Sequence, residues 1–246
     1  MSYIEIKGNI FNSKAMAIVN TVNCVGAMGK GIALEFKLRF PEMFKEYQKI
    51  CFQKQLSPGQ ILPYRKSSPW ILNFAIKDNW KYPSKEEWIE ETLIKFKNTY
   101  KKLGIKSVAF PWMGAMNGGI PIEIIKSIMR KHLQNIEDID IEVYEFDILA
   151  TDPLFEKLKT ILEFSTKELS ETSNIQTRFW IKIIELVKSK KVNSLYELCH
   201  YKINEKRVIG KTNIERLYYF LTNTKIGDTS AHSQAQLQFP QSDAQT

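Results

Sequence analysis

Two glycine-rich stretches are the parts of this sequence whose residue types could hold an anion. In the first, an apolar run that ends at Val19 leads into a loop with Gly26, Gly29 and Gly31, and an amphipathic helix follows. Glycine has no Cβ, so such a loop can approach a phosphate closely, and the first N–H groups of the helix have no partner within it. The stretch matches neither the dinucleotide fingerprint nor the P-loop. Its spacing alone leaves phosphate binding and a plain strand-to-helix turn equally open.

A second stretch of the same kind is FPWMGAMNGGIP at 110–121. It again runs from an apolar strand through glycines into a helix, and Pro121 suits the first turn of that helix. Two strand-loop-helix junctions in one α/β domain can contact a diphosphate from both sides. The polar residues beside them are chiefly amides, Asn20, Asn23 and Asn117, which suit ribose hydroxyls and a neutral base.

Lys77 is the ionisable residue that points most strongly to chemistry. It follows the apolar run WILNFAI at 70–76, which is typical of a strand buried in a sheet. A lysine at the exit of a core strand, beside two phosphate-binding loops, can act on a bound substrate. Asp78 comes next, and an ion pair with it would raise the pKa of Lys77 and weaken the amine as a nucleophile. The alternative is a surface lysine at a strand end.

Taken together, the motifs resemble the macrodomain family, whose members bind ADP-ribose. The stretches that carry the resemblance are VNTVNCVGAMGKGIALEFKLRFPEMFKEY, ILNFAIKDNW and FPWMGAMNGGI, in this order. More narrowly, they resemble the DarG branch, antitoxins that remove ADP-ribose from thymidine in DNA. The resemblance covers about residues 1–150. It implies a three-layer α/β/α fold around a mixed, largely parallel sheet, and a ligand at the carboxyl ends of the strands.

The resemblance also implies which residues bind ADP-ribose. At the adenine end they are Asn9, Ile10, Phe146 and Asp147. Asn9 replaces the usual acid and could instead be a turn residue. Phe146 and Asp147 could instead belong to the core or to the sheet edge. Beside the distal ribose they are Asn20 and Asn23. Around the diphosphate they are Gly26, Met28, Gly29, Lys30, Gly31 and Ile32 in the first loop, and Met113, Gly114, Ala115, Met116, Asn117, Gly118 and Gly119 in the second. Lys30 would face a phosphate or the DNA strand, and the alternative is a solvated lysine at a helix start.

The same resemblance implies a catalytic role for Lys77. In the DarG branch, and in a related vertebrate macrodomain hydrolase that acts on glutamate esters, a lysine in this strand-end motif is catalytic. Its amine would attack the anomeric carbon or stabilise charge on the opening ribose. This chain departs from the DarG pattern by having Ala75 and Ile76 before the lysine. The vertebrate enzyme uses an aspartate where this chain has Asn117, so the sequence favours the DNA-type substrate.

The net charge of +8 is spread along the chain. Residues 1–150 hold 21 Lys and Arg against 16 Asp and Glu, residues 151–225 hold 14 against 9, and the remaining tail holds two acids and no Lys or Arg. A mildly basic surface fits a DNA substrate, with binding that weakens as salt rises. A lysine-rich composition without nucleic-acid binding explains the numbers equally well.

No metal, cofactor or membrane is expected from the composition. The cysteines (Cys24, Cys51 and Cys199) and histidines (His132, His200 and His232) are scattered, so the sequence predicts reduced thiols and no zinc site. No apolar run approaches the ~20 residues that a membrane span needs. The first seven residues lack a signal-peptide pattern. We therefore expect a cytoplasmic protein.

Element patterns predict how the chain is divided. Strands and helices alternate over residues 1–150, which predicts the sheet between helices; one helix is expected to start at Ser84 with a capping box to Glu87. Residues 151–225 read as a small all-α module with four helices, at 155–164, 178–188, 194–200 and 213–221. The last stretch, 226–246, is rich in Ser, Gln, Ala, Asp and Thr and is predicted to be disordered.

The sequence therefore predicts a DNA ADP-ribosyl glycohydrolase that acts as the antitoxin of a DNA ADP-ribosyltransferase. Two alternatives stay open for the macrodomain: an ADP-ribose 1″-phosphate phosphatase and a non-catalytic ADP-ribose-binding module. For the helical module the possibilities are binding of a cognate DarT-like toxin, a DNA contact and a stabilising appendage. The DNA contact would use the cations Lys202, Lys206, Arg207, Lys211 and Arg216.

Overall fold

A six-stranded sheet organises the first of the two units into which the chain divides, Met1–Ala150 and Thr151–Thr246. The computed structural model describes residues 2–224. The order across the sheet is β1-β6-β5-β2-β4-β3, and neighbours are parallel except β3 and β4. This confirms the predicted mixed, largely parallel sheet. Its strands are β1 (Tyr3–Gly8), β2 (Ala17–Val22), β3 (Ile61–Tyr64), β4 (Trp70–Ala75), β5 (Ser107–Pro111) and β6 (Asp140–Phe146).

Helices cover both faces of the sheet, because its central strands are apolar on both sides. On β4, Leu72 and Phe74 belong to one core, whereas Ile71 and Ala75 belong to another, as the alternation of a strand requires. The first core contains residues of α3 (Glu86–Leu103) and α4 (Ile122–Leu133), and the second contains residues of α1 (Gly31–Arg39) and α2 (Pro41–Phe52). The predicted three-layer α/β/α fold is confirmed.

The topology concentrates the ends of five strands at one edge of the sheet. Since β1, β6, β5, β2 and β4 are parallel, their carboxyl ends share this edge. The neighbours β2 and β5 send the chain to opposite faces, β2 toward α1 and β5 toward α4. Ligands of open α/β sheets bind where neighbouring strands diverge in this way. The two glycine-rich loops follow these two strands.

The start of α3 differs from the prediction. The helix begins at Glu86, after Lys85, and not at Ser84 with a capping box to Glu87. Ser84 is buried, and its backbone N–H donates to the carbonyl of Gly118 at 2.8 Å. Within residues 2–224 its hydroxyl has no hydrogen-bond partner. The prediction was wrong because a tertiary hydrogen bond to the second glycine loop holds Ser84 outside the helix.

The second unit is mainly helical. Besides the four predicted helical regions it contains α6, whose capping box between Ser165 and Glu168 was present in the sequence but preceded only a sparse apolar pattern. It also contains a two-stranded hairpin, so the prediction of an all-α module needs this correction. The elements are α5 (Pro153–Ile161), α6 (Thr166–Ser173), α7 (Thr177–Lys188), α8 (Leu195–His200), β7 (Lys202–Ile203), β8 (Lys206–Arg207) and α9 (Lys211–Asn223).

The hairpin forms because two polar residues at its turn, Asn204 and Glu205, take positive φ angles of 48° and 63°. The predicted disordered stretch, 226–246, lies outside the described residues. None of the helices within residues 2–224 combines the length and the hydrophobicity that crossing a bilayer requires.

Candidate active site

The predicted ligand-binding residues lie around one edge of the sheet. Asn9 follows β1 and Asp147 follows β6, the second glycine loop follows β5, the first follows β2, and Lys77 comes two residues after β4. Because these strands stand in the order β1-β6-β5-β2-β4, the predicted adenine end, diphosphate loops and catalytic amine also follow one another along the edge. That spatial order suits an elongated ligand that lies across the strand ends.

Asn23 organises the backbone of the first glycine loop. Its side-chain oxygen accepts hydrogen bonds from the N–H groups of Val25 (3.0 Å) and Ala27 (3.3 Å), and its side-chain nitrogen donates to the carbonyl of Ala27 (2.6 Å). The hydroxyl of Tyr47, from α2, lies 3.0 Å from the same side-chain oxygen. Asn23 is buried, so its side chain serves mainly to hold the backbone of the loop in place.

The start of α1 is available to an anion. Lys30, the N-cap residue, is exposed and makes no side-chain capping hydrogen bond. Gly31 has a φ of 57°, a left-handed conformation that favours glycine. Gly29 has open space where a Cβ would stand, whereas Met28 is buried beneath the loop. The first-turn N–H groups thus lack a capping side chain, and a phosphate is a suitable partner for them.

The second glycine loop folds tightly upon itself. A Cβ on Gly118 would lie 2.2 Å from the carbonyl oxygen of Gly114, so only glycine fits there. Gly114 itself has a φ of 82°, and Gly119 a φ of 79°. Met113 is fully buried, whereas Met116 is 70% exposed. The loop is therefore anchored in the core at its start and presents its tip to solvent.

The two loops and Lys77 meet at Asn117. The side-chain nitrogen of Asn117 lies 2.5 Å from the position that a Cβ on Gly31 would occupy, so the amide rests against the start of α1. The ammonium nitrogen of Lys77 is 2.5 Å from the carbonyl oxygen of Asn117. The structure therefore brings together the catalytic candidate, the second loop and the first helical turn after the first loop.

Burial lowers the pKa of Lys77, because a partly desolvated site disfavours the ammonium form. The ion pair with Asp78 that the sequence suggested is not formed: among the described residues, Lys77 has no carboxylate partner within salt-bridge distance. Asp78 instead uses its backbone carbonyl to accept a hydrogen bond from the N–H of Cys24 at 3.0 Å. The shift favours the neutral amine that a nucleophilic role requires.

Cys24, in the first loop, is another nucleophilic side chain close to these residues, and its N–H donates to the carbonyl of Asp78. Burial raises the pKa of its thiol to about 12, with smaller contributions from Cys51 and Asp78. A thiol with so high a pKa stays protonated near neutral pH and is a weak nucleophile. The electrostatics of the site therefore favour Lys77.

Asn20 is less accessible than the sequence suggested. It is fully buried on β2, and its side-chain nitrogen donates to the side-chain oxygen of Asn73 on β4 at 2.8 Å. The nitrogen of Asn73 donates in turn to the carbonyl of Leu62 on β3 at 3.3 Å. The side-chain oxygen of Asn20 has no partner within residues 2–224. Asn73 was missed from the sequence, where the only signal was one amide inside an apolar run.

The residues predicted to bind adenine follow β1 and β6, which lie on the opposite side of β5 from β2 and β4. Gly8 and Phe146 are paired in the register of β1 and β6, and the N–H of Asp147 donates to the carbonyl of Gly8 at 3.2 Å. Asn9 caps a short 3₁₀ helix, Ile10–Asn12, by accepting from the N–H of Phe11. The ring of Phe146 is 46% exposed. An exposed ring beside polar residues is suited to stacking on a base.

Comparisons with known proteins identify the first unit. The sequence model of the Macro domain family matches residues 19–129. The DNA ADP-ribosyl glycohydrolase of Thermus aquaticus is 38% identical over 144 residues, which are 57% of this chain and 40% of that protein. The chain thus spans less than half the length of this curated relative.

Two solved structures are also similar. The macrodomain of Mycobacterium tuberculosis DarG is 38% identical, with a TM-score of 0.56, over 58% of this chain and 96% of that chain. Thermosipho africanus DarTG in complex with ADP-ribose is 32% identical, with a TM-score of 0.56, over 63% of this chain and 44% of that chain. The chain belongs to the macrodomain family. Within that family its first unit is similar to the macrodomains of DarG proteins, which confirms the resemblance found in the sequence.

Proposed function

We propose that this protein is a DNA ADP-ribosyl glycohydrolase that removes ADP-ribose from thymidine in DNA. The observation that carries the proposal is the position of Lys77: its amine has a lowered pKa and contacts the second glycine loop, whose Asn117 rests on the start of α1. The similarity to the T. aquaticus glycohydrolase supports this reaction over the phosphatase and the non-catalytic module.

ADP-ribose would lie along the carboxyl edge of the sheet. Its adenine would occupy the region of Asn9, Ile10, Phe146 and Asp147, and its diphosphate the two glycine loops. The distal ribose would then lie toward β4, where Lys77 follows the strand. The complex of T. africanus DarTG with ADP-ribose supports this choice of ligand. Backbone donors of the loops are fixed before the substrate binds, and such preorganised donors provide much of the rate acceleration in enzymes.

Lys77 would cleave the glycosidic bond between the distal ribose and the thymine nitrogen. As a nucleophile, the neutral amine forms a bond to the anomeric carbon, the C–N bond breaks, and its electron pair leaves with the thymine nitrogen, which takes up the proton that the amine loses. Water then adds at the anomeric carbon and releases the amine. In the electrostatic alternative, the ammonium form stabilises charge on the opening ribose while water attacks directly. The lowered pKa supports the first route.

The second unit would serve the antitoxin role. We propose that residues 151–225 bind a cognate DarT-like toxin, because a DarTG protein is among the structural relatives of this chain. Since its substrate would be DNA and its partner a DarT-like toxin, we expect the protein to act in the cytoplasm. A DNA contact through Lys202, Lys206, Arg207, Lys211 and Arg216 remains the alternative. Co-purification with a DarT-like toxin, lost when the helical unit is deleted, would separate the two.

The test of the proposed reaction is release of ADP-ribose from single-stranded DNA that carries ADP-ribosylated thymidine. We expect release by the natural protein and a loss of about 100-fold or more in Lys77→Ala, since removal of a catalytic group has effects of this order. ADP-ribose 1″-phosphate serves as the competing substrate. Release that survives Lys77→Ala would contradict the proposed role of Lys77. Tight ADP-ribose binding without turnover of either substrate would contradict the proposed enzymatic activity.

A further inference from the structure

Two large aromatic side chains stand exposed in the segment that follows Lys77. Trp80 is 57% exposed and Tyr82 is 64% exposed, although neither belongs to a helix or strand. Lys81 lies between them in the sequence, and its ammonium nitrogen is 5.6 Å from the centre of the Trp80 ring. Exposed rings of this size lose the stabilisation that burial would give them. The segment thus offers flat apolar surfaces and a positive charge to solvent.

The segment is fixed at both ends to the glycine loops. At its start, the carbonyl of Asp78 accepts from the N–H of Cys24 in the first loop. At its end, the N–H of Ser84 donates to the carbonyl of Gly118 in the second loop, and Pro83 packs near Gly119. The rings of Trp80 and Tyr82 are therefore carried on a short bridge between the two loops that would hold the diphosphate.

Local turns hold the middle of this bridge. The side-chain oxygen of Asn79 accepts from the N–H of Lys81 at 3.0 Å, and its carbonyl accepts from the N–H of Tyr82 at 3.2 Å. These bonds fix the backbone on both sides of Trp80. A ring on a fixed backbone loses less conformational entropy on binding than one on an unrestrained loop.

We propose that Trp80 and Tyr82 form a stacking platform for the bases of single-stranded DNA that flank the modified thymidine. The inference rests on the proposed function, because it assigns a subsite for the DNA part of that substrate. Trp80 is three positions after Lys77, so their Cα atoms lie within about 11 Å of one another. At a spacing of about 3.4 Å per stacked nucleotide, the second and third bases from a thymidine bound at the amine lie about 7–10 Å away, which is within that reach.

Aromatic rings interleaved with lysines suit single-stranded nucleic acid in particular. Every base has a flat face that can stack on a ring regardless of sequence, and the nearby ammonium groups of Lys81 and Lys85 can approach phosphates. Lys85 lies 4.8 Å from the ring centre of Trp88, which repeats the arrangement at the start of α3. Loss of one stacking ring typically weakens such binding by about tenfold.

The test compares two substrates and uses a matched control. We measure kcat/KM for release of ADP-ribose from the modified thymidine nucleoside and from a modified single-stranded oligonucleotide. In Trp80→Ala and in Tyr82→Ala, the ratio of the oligonucleotide value to the nucleoside value should fall about tenfold, and Trp80→Phe should restore most of it. Phe52→Ala removes another exposed ring, at the end of α2, and should leave the ratio unchanged. An unchanged ratio in the Trp80 and Tyr82 variants would overturn the inference.

Binding of an unmodified single-stranded oligonucleotide, measured by fluorescence anisotropy, separates this inference from the proposed reaction. We expect the Trp80→Ala/Tyr82→Ala double variant to bind at least tenfold more weakly than Phe52→Ala. Equal binding by the two would overturn the platform even if the enzyme releases ADP-ribose. A natural protein that binds DNA through these rings but releases nothing would overturn the reaction and leave the platform standing.

Discussion

The proposed chemistry of this protein depends on how one amine, that of Lys77, is placed. Lys77 follows a strand that is buried from Ile71 to Ala75, and its ammonium nitrogen donates to the carbonyl of Asn117 in the second glycine loop. An acceptor at this position holds the side chain in place without neutralising it, because a carbonyl carries no formal charge. A carboxylate there would have raised the pKa of the amine. Burial without a counter-charge instead lowers the pKa, which is the direction that nucleophilic catalysis needs.

The pH dependence distinguishes the two roles of Lys77. Because the pKa of Lys77 is lowered, its neutral fraction at a given pH exceeds that of an ordinary lysine. If the neutral amine attacks, release of ADP-ribose from DNA should rise as the pH increases toward that lowered pKa and then level off. Lys77→Arg, which stays charged at all accessible pH values, should lose activity by about 100-fold or more.

The electrostatic role predicts the opposite sign. If the ammonium form acts, the rate should fall as pH rises through the pKa of Lys77, and Lys77→Arg should retain much of the activity. The measurement is a pH profile of kcat for release from modified DNA, with the affinity for free ADP-ribose determined at each pH as a control for binding. A falling profile together with an active arginine variant would contradict nucleophilic attack.

At the scale of elements, a buried amide pair joins the two strands that carry the first loop and Lys77. Asn20 on β2 and Asn73 on β4 stand opposite each other in the register, and a hydrogen bond of 2.8 Å links their side chains. The bond from Asn73 to the carbonyl of Leu62 fixes which way the Asn73 amide faces. The orientation of the Asn73 amide in turn fixes that of the Asn20 amide. The side-chain oxygen of Asn20 is then left without a hydrogen-bond partner within residues 2–224.

We expect this pair to show strong energetic coupling. Asn73→Leu leaves the buried nitrogen of Asn20 with only a weak acceptor, the Met28 sulfur at 3.9 Å, which should lower the free energy of unfolding by about 1–3 kcal/mol. Asn20→Leu should have a similar cost, but the double variant should cost less than the sum because both polar groups are gone. Urea unfolding of the four proteins measures the coupling energy, expected at about 1 kcal/mol or more. Strictly additive costs would show that the pair is not a functional unit of the fold.

The elements were predictable where one local pattern decided them. The apolar run at 70–76 and the glycines after β2 and β5 indicated strands and loops that the structure has at those places. Ser84 was misread because its partner, Gly118, is distant in sequence and no local pattern reports such a bond. The helix α6 was missed for the opposite reason: its capping box is local, but only Leu169 and Ser173 of the helix are buried. The meeting of Gly31 and Asn117 likewise depends on strand order, which the sequence does not state.

At the scale of the whole molecule, the positive charge is shared by the two units, whereas the predicted ADP-ribose site belongs to one of them. The positive excess is present in both 1–150 and 151–225, so phosphate contacts can come from either unit. All predicted ADP-ribose-binding residues, however, lie within Met1–Ala150. The hydrogen bonds that hold both glycine loops and Lys77 also come from residues of this unit. The proposed recognition of ADP-ribose would therefore need no residue beyond the first unit.

We therefore expect the fragment 1–150 to bind free ADP-ribose with an affinity within about threefold of the full chain, since the interactions that form the site are retained. The boundary after residue 150 also lies before the N-cap of α5, where the side chain of Asp152 accepts from the N–H of Leu154. Calorimetry with ADP-ribose measures the affinity, and a cooperative thermal transition of the fragment checks that it is folded. A folded fragment whose affinity drops more than tenfold would show that the second unit contributes to the site. If a toxin binds the second unit, the same fragment should release ADP-ribose from DNA yet fail to co-purify with the toxin.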